Sequence, residues 1–279
     1  MITAIVPLKA YHEPYMRAAF ASLFAQTSPA WQAIVVVEPD EFATFRTVLA
    51  SELGDARVRI VANEGRKLAG AINTGIRAAT TAFVAILLAD DLWNVASVEV
   101  LAREITAHPD ADFLHSARQA IDDDGQPCSG VMPPRHDVRP ERFIHGSAVK
   151  HLLCFRRSKA LAVGGLDESI NSVGPDDYDF PWTMVEAGAR FHPVEECLYL
   201  YRDHRRAYRL TTHLPRSVHT RELVRILRKH GVGWMETIRR VRAARRDYLK
   251  QCLYRNRLHR WMVERLGIGT VRIWREPYR

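Results

Sequence analysis

Two pairs of adjacent carboxylates are the residues best able to do chemistry. Asp90-Asp91 closes the apolar run Phe83 to Leu88 within AFVAILLADDLW, and Asp176-Asp177 opens GPDDYDF. A packed core does not accept neighbouring carboxylates unless something cationic meets them. If the run before Asp90 is the end of a central strand in an open α/β sheet, the pair lies at the carboxyl edge, where such sheets bind ligands. It then reads as a metal and phosphate site. The competing reading has Asp90 capping a helix that starts near Trp93, with Asp91 facing water. Asp176, Asp177 and Asp179 put three acids into the first turn of a helix, which suits its positive end, and a plain charged cap is the alternative. A further acidic strand end is Glu38-Pro39-Asp40.

Other candidate chemistries find little support. His145, His151 and His192 have no partner at ligand spacing and read as surface or loop histidines. Ser22, Ser147 and Ser158 lack a nucleophile-elbow setting. The glycine-rich stretch Gly65 to Gly75 has neither GxxxxGK[ST] nor GxGxxG spacing, which argues against ATP or NAD binding. Cys128, Cys154, Cys197 and Cys252 are far apart, with no CxxC or Cys/His cluster, so neither a zinc site nor a disulfide framework is expected.

The elements that must position these acids alternate in type. Ile2 to Pro7 reads as a buried strand ended by a proline that cannot continue a central ladder. Glu13 to Gln26 has helical apolar spacing at Met16, Ala19, Phe20 and Leu23. Ala33 to Val37 is a strand covered on both faces, Phe42 to Leu53 a helix, and Val58 to Ala62 a third strand. From Lys67 to Ala79, Ala69, Gly70, Ala71 and Gly75 would let a helix approach the sheet or a ligand closely. Strand Phe83 to Leu88 is followed by a helix from Val95 to Ala107. This alternation predicts a parallel sheet with crossover helices. After about residue 110 the rhythm changes. Phe113 to Ala117 and the turn Asp122-Asp123-Asp124-Gly125 predict a hairpin, and Gln126 to Glu141 a loop over one face. A strand at Leu152 to Arg156, a helix at Ser158 to Val163, a helix from Gly174 to Gly188 and a strand at Cys197 to Tyr201 follow.

At 279 residues the chain can bury a full core. No apolar stretch reaches the roughly 18 residues of a spanning helix, and no signal peptide is expected at MITAIVPLKA. A reducing cytoplasm is the expected location. The net charge of +8 is uneven: residues 216–279 hold 18 Lys+Arg against 5 Asp+Glu, so the remainder is net acidic. This segment reads as helical, with arginine stems covering apolar surface. Trp234, Trp261 and Trp274 interleave with its arginines, so a peripheral contact with an anionic membrane is the sharper expectation. No nucleic-acid reading motif is present, and no nucleic-acid partner is expected.

An ordered series of stretches resembles the family 2 glycosyltransferases of the GT-A fold. They are IVPLKAYHEPYMRAAFASLFAQTSPAWQAIVVVEPDE, NEGRKLAGAINTGIRAATTAFVAILLADDLW, LLCFRRSKALAVGGLDE, GPDDYDF and YLYRDH, spanning about Ile2 to Thr212. The resemblance implies an α/β, Rossmann-like, mainly parallel central sheet flanked by helices, with a C-terminal basic helical extension. Residues 1–110 would be the nucleotide-sugar-binding half, 111–215 the acceptor half of the same domain, and 216–279 the extension.

It also implies roles. The loop at Pro7 and Leu8, with Glu38 and Asp40, would hold the base and ribose of a nucleotide-diphosphate sugar, and Asn73 belongs with these donor-binding residues. The family's aspartate-any-aspartate motif falls on Leu88-Ala89-Asp90. Asp90 would thus be the ligand of Mn²⁺ or Mg²⁺, and Asp91 a neighbour near the sugar or diphosphate. Asp177, paired with Asp176, would be the catalytic base, and His204 would reach the metal or diphosphate from the far side. Tyr178 and Trp182 would either stack on an acceptor sugar or pack within their helix. The implied reaction is a metal-dependent, inverting transfer to a hydroxyl of a glycan or lipid-linked acceptor, near the inner face of the membrane. Leu88 in place of an acid, Val37-Glu38 in place of an acidic pair, and Ile72 where relatives carry arginine depart from the pattern. They motivate the alternative of a weak or inactive member acting as a binding or regulatory subunit.

Overall fold

The computed structural model describes residues 1–9, 11–170, 173–203 and 216–255. By its internal contacts the chain divides into two units, residues 1–213 and 214–279. The first unit is built on a nine-stranded sheet. Its first half comes from β1 (Ile2–Leu8), β2 (Trp31–Val37), β3 (Val58–Ala62) and β4 (Phe83–Ile86), all parallel, in the order β3-β2-β1-β4. Helices α1 (Glu13–Phe24), α2 (Phe42–Val48) and α3 (Lys67–Ala78) connect these strands. Because both faces are covered, the strands are nearly unbroken apolar runs; every residue of β2 except Gln32 is buried.

The second half is mixed. β6 (Phe113–Ile121) and β8 (Leu153–Arg156) are antiparallel, β8 is antiparallel to β4, and β9 (Phe191–Arg202) runs parallel to β6. β5 (Leu92–Trp93) and β7 (Pro127–Met132) pair antiparallel with β9 and β6. Between them lie α4 (Ser97–Ala107), α5 (Pro140–Phe143), α6 (Arg157–Ala162) and α7 (Phe180–Glu186). This arrangement brings the carboxyl ends of β1 to β4, β6 and β9 to one rim. It also brings the amino end of the reversed strand β8 there, so residues far apart in sequence share a cleft edge.

Local departures from the sequence reading have physical reasons. β1 continues through Pro7, which pairs with Val36, and Leu8, which pairs with Val37. The ladder tolerates this proline because β1 residues bond to alternate sides. Ile5 faces β4 and accepts from Leu87, and Pro7 is in phase with Ile5 beyond the last residue paired to β4. Trp93 does not start a helix: Leu92–Trp93 is a strand, and α4 begins at Ser97. The stretch after Gln126 contains edge strand β7 and the short α5 rather than loop alone. Cys197–Tyr201 is the end of a much longer strand, β9. At Gly75, α3 lies against the sheet so closely that a Cβ there would meet Ile5 Cγ2 at 2.5 Å.

The second unit contains α8 (Arg216–Lys229) and α9 (Trp234–Arg255), which contact each other. Gly231, at φ 70°, reverses the chain between them.

Candidate functional site

The rim carries two clusters. In the first, Glu38 follows β2, with its carboxylate 3.4 Å from Lys9 Nζ and accepting from Asn63 Nδ2 at 3.3 Å. It is thus fixed by residues that follow β1 and β3. Asp40 is exposed in the 3₁₀ turn Pro39–Glu41, while Leu8 is buried beside them. Asn73 lies elsewhere in the network. Its amide donates to the Leu166 carbonyl at 2.9 Å and to Glu168 Oε1 at 3.1 Å, and its oxygen accepts from the Leu166 amide at 2.8 Å. The structure thus uses Asn73 as a bracket between α3 and the loop after Gly165, with its polar atoms turned to protein.

The second cluster gathers the remaining acids. Asp90 and Asp91 follow β4 but do different things. Asp91 is 1% exposed and accepts from Tyr199 Oη at 2.7 Å and from the Arg202 backbone amide at 2.7 Å. It holds the end of β9 rather than facing outward. Asp90 is partly exposed, and its backbone carbonyl accepts from Arg202 Nε at 2.8 Å. The same guanidinium donates through Nη1 to the carbonyls of Asp122 (2.9 Å) and Asp123 (3.2 Å) and lies over the Tyr15 ring at 4.6 Å. Arg202 therefore clamps the Asp90-Asp91 turn to the β6–β7 turn. Burial, and then the charge of Asp91, raise the Tyr199 phenol well above its ordinary value, so it stays protonated and donates.

Asp176-Asp177 sits in a π-helical turn, Pro175–Asp179, set by Gly174 in the left-handed region at φ 52°. A Cβ at Gly174 would meet Asp177 Oδ1 at 2.6 Å. The two side chains face different surroundings. Asp176 is 9% exposed and Asp177 23% exposed. Burial, and then the neighbouring Asp177 charge, raise Asp176 to about 7. Burial acts on Asp177 too, but Lys150, His151 and Arg118 outweigh it and hold that carboxyl below its ordinary range. Lys150 Nζ lies 3.5 Å from Asp177 Oδ2. At neutral pH this is an ionised, accessible carboxylate beside a buried one that retains much of its proton.

His151 links the two acid pairs. It is buried, not on the surface as its sequence setting suggested; its ring stacks on Tyr199 at 5.0 Å, and Nε2 lies 3.7 Å from Asp176 Oδ2. Burial presses its pKa to about 4, so the contact with Asp176 joins a neutral imidazole to a carboxyl and is not an ion pair at pH 7. Trp182 is buried and stacks on Phe143 at 5.8 Å, with the buried Tyr178 also 5.8 Å away. Of their two readings the packing one holds. His204 lies outside the described residues.

Tyr199, Arg202, His151, Lys150 and Arg118 were not singled out as functional from the sequence. YLYRDH carried the only signal for two of them; the others are isolated residues brought in by strand pairing.

For a hard divalent cation the turn after β4 provides a partly exposed carboxylate, Asp90, with Asp91 engaged internally. That donor set fits Mg²⁺ or Mn²⁺, which are held by one or two carboxylates with substrate phosphates and water completing the shell. Among the described residues no group of three ligands surrounds Asp90.

Comparison with known proteins bears on the fold and lineage. The model of the family described as glycosyl transferase family 2 matches residues 3–145. The chain is 25% identical over 206 residues to the O-antigen biosynthesis protein RfbC of Myxococcus xanthus, covering 73% of this chain and 16% of that protein. The chain thus spans about a sixth of the length of that relative. Among solved structures it resembles S. aureus TarS 1–349 in complex with UDP (TM-score 0.61, 16% identity, 92% of this chain and 73% of that one). It also resembles a mannosyltransferase from Pyrobaculum calidifontis in complex with GDP-Man and Mn²⁺ (TM-score 0.57, 20% identity, 87% and 68%).

Proposed function

The chain belongs to glycosyl transferase family 2, with the family's mixed α/β fold, and from that premise we propose that it transfers a sugar from a nucleotide-diphosphate donor to an acceptor hydroxyl with inversion. The observation that carries the reading is the divided dyad at the rim: Asp177 ionised and accessible beside Lys150, and Asp176 buried and held near 7. Asp177 takes the proton of the attacking hydroxyl. Glu38, braced by Lys9 and Asn63, hydrogen-bonds the ribose, with Leu8 and Asp40 flanking the base. Asp90 holds the cation, Mn²⁺ or Mg²⁺, which when bound offsets the charge gathering on the departing diphosphate. Arg202 and Asp91 keep the Asp90 turn in place. The UDP of the TarS structure and the GDP-Man of the mannosyltransferase structure support the donor class, and RfbC's role in O-antigen biosynthesis supports a polysaccharide or lipid-linked acceptor.

Calorimetry with UDP, GDP and their sugars, with and without Mn²⁺, tests the reading. Asp90→Ala is expected to lose the Mn²⁺-dependent gain in donor affinity, and Asp177→Asn to bind donor normally but transfer nothing. Asp90→Ala binding donor as the wild type does, Mn²⁺ included, would remove Asp90 from this role. The alternative of a non-catalytic binding subunit rests on one observation: Leu88 is apolar and Asp91 is consumed by Tyr199 and Arg202, so two of the three positions Leu88, Asp90 and Asp91 offer no carboxylate to a cation. Donor binding without hydrolysis or transfer to any acceptor would favour it.

The second unit supports a peripheral membrane contact. Among the described residues no helix is long and apolar enough to cross a membrane. Trp234, Met235 and Ile238 are exposed on α9, with Arg239, Arg242, Arg245 and Arg246 exposed along the same helix. Apolar side chains and arginines together suit an anionic headgroup layer. Salt-sensitive sedimentation with phosphatidylglycerol vesicles is expected to fall when Trp234, Met235 and Ile238 become Ser; unchanged sedimentation would reject the contact. Trp261 and Trp274 lie outside the described residues.

A further inference from the structure

A second cluster of ligand-type side chains lies at the opposite end of the sheet. Glu104 lies in the last turn of α4 and His108 is the residue that ends it, its backbone amide donating to the Glu104 carbonyl at 2.9 Å. His192, near the start of β9, faces them. It is ten residues before Arg202, roughly 30 Å along an extended strand. This cluster is therefore separate from the rim.

Its ligand atoms lie close enough together to share one ion. Glu104 Oε2 lies 3.0 Å from His192 Nε2 and 3.6 Å from His108 Nε2, and the ligand atoms all lie within 4.8 Å of one another. Tetrahedral Zn²⁺ with bonds of about 2.0–2.1 Å sets its ligand atoms roughly 3.3 Å apart. The two measured separations bracket that spacing. The other oxygen, Glu104 Oε1, accepts from Arg103 at 2.7 and 2.9 Å, which orients the carboxylate and leaves Oε2 to the imidazoles. The imidazole rings stack 3.8 Å apart. The hydrogen-bond contact of His192 with Glu104 and the stacking of His108 on His192 hold the three ligand atoms together before any ion arrives.

We propose that Glu104, His108 and His192 bind a transition-metal ion, Zn²⁺ in the first instance, with water in the fourth position. Two imidazoles and one carboxylate are a donor set for Zn²⁺ rather than Mg²⁺ or Ca²⁺. His108 is 45% exposed, which gives water access to the open position. The ion sits at the carboxyl end of α4, where the helix dipole favours a cation. It joins the end of α4 to the start of β9, fixing the end of the sheet away from the sugar-transfer site.

The test uses untagged full-length protein. Equilibrium dialysis against Zn²⁺ is expected to lose one equivalent in the double variant His108→Asn/His192→Asn. Asp90→Ala and Cys128→Ser should keep it. Co²⁺ in its place should give the intense visible absorption of a tetrahedral ion in the wild type and not in the double variant. Should the double variant fail to fold, His108→Asn alone, at a half-exposed position, is expected to weaken Zn²⁺ at least about tenfold. Zn²⁺ stoichiometry and affinity unchanged in these variants, or a pale octahedral Co²⁺ spectrum, would overturn the proposal.

Discussion

The Tyr199 hydroxyl donates a 2.7 Å hydrogen bond to Asp91 Oδ2 across 108 residues of sequence, tying the end of β9 to the turn after β4. Asp91 takes a second bond from the Arg202 amide, and Arg202 Nε returns one to the Asp90 carbonyl. One of two adjacent aspartates is thus consumed in holding the other.

Tyr199→Phe removes one donor from a buried carboxylate and is expected to cost about 1.5–3 kcal/mol in denaturant unfolding. Ring stacking on His151 survives the change. Mn²⁺-dependent donor affinity should fall as well, because the Asp90 turn loosens. A stability change within about 0.5 kcal/mol of zero would mean that water or another donor already serves Asp91.

Asp177→Asn keeps shape and loses basicity. Turnover is expected to drop by at least about 100-fold, with donor affinity by calorimetry within twofold of wild type. Lys150→Met should act differently. It removes the main charge opposing the burial of Asp177 and so raises its pKa, moving the acid limb of the pH–rate profile to higher pH. An unmoved acid limb would separate Lys150 from the base.

Asp176 gives the fold a defined pH dependence. Its carboxyl is held near 7, above the ordinary 3.8, so the folded chain keeps a proton that the unfolded chain releases. That contribution is whole below about 3.8 and is lost as pH rises through about 7; its full size is up to about 4 kcal/mol. His115 and His151, both pressed to about 4 by burial, act in the opposite sense, contributing above 6.5 and losing that contribution as pH falls through 4. Asp176→Asn removes only the first effect. Its stability relative to wild type should therefore rise between pH 4 and pH 8, read from urea unfolding at each pH, and a constant difference would contradict the assignment.

Gly174→Ala places a methyl group against Asp177 Oδ1 and Tyr178 Cβ at a left-handed backbone position. A loss of about 1–2 kcal/mol is expected, together with a fall in kcat larger than any change in donor KM, since the displaced group is the base. Equal loss in both would point to a general collapse of the turn.

Much of the first half was legible from composition. β3 has the range its β-branched run predicted, and β2 and α3 lie within two residues of theirs. Buried parallel strands declare themselves as apolar runs, and the acids that follow them mark the rim. The second half was harder. β9 was visible only over Cys197–Tyr201, because its first six residues, FHPVEE, are interrupted by proline and hold one buried apolar side chain, Val194. β5 is two residues long and exists only because Leu92 and Trp93 meet Leu200 and Tyr199.

The sequence by itself determined the family, the α/β order and the presence of acids at strand ends, since these follow from residue type and local spacing. Which acid does what was decided only by the tertiary structure. Asp90 and Asp91 are chemically identical neighbours, yet the ends of β9 and β4 meet so that Tyr199 and Arg202 bury one and leave the other partly open. The same holds for Asp176 and Asp177: burial keeps the first protonated, while the second is more open and has Lys150 Nζ 3.5 Å from its carboxylate. The ionisation of a carboxylate depends on the dielectric and charges within a few ångströms of it, and strand pairing across a hundred residues sets that surrounding.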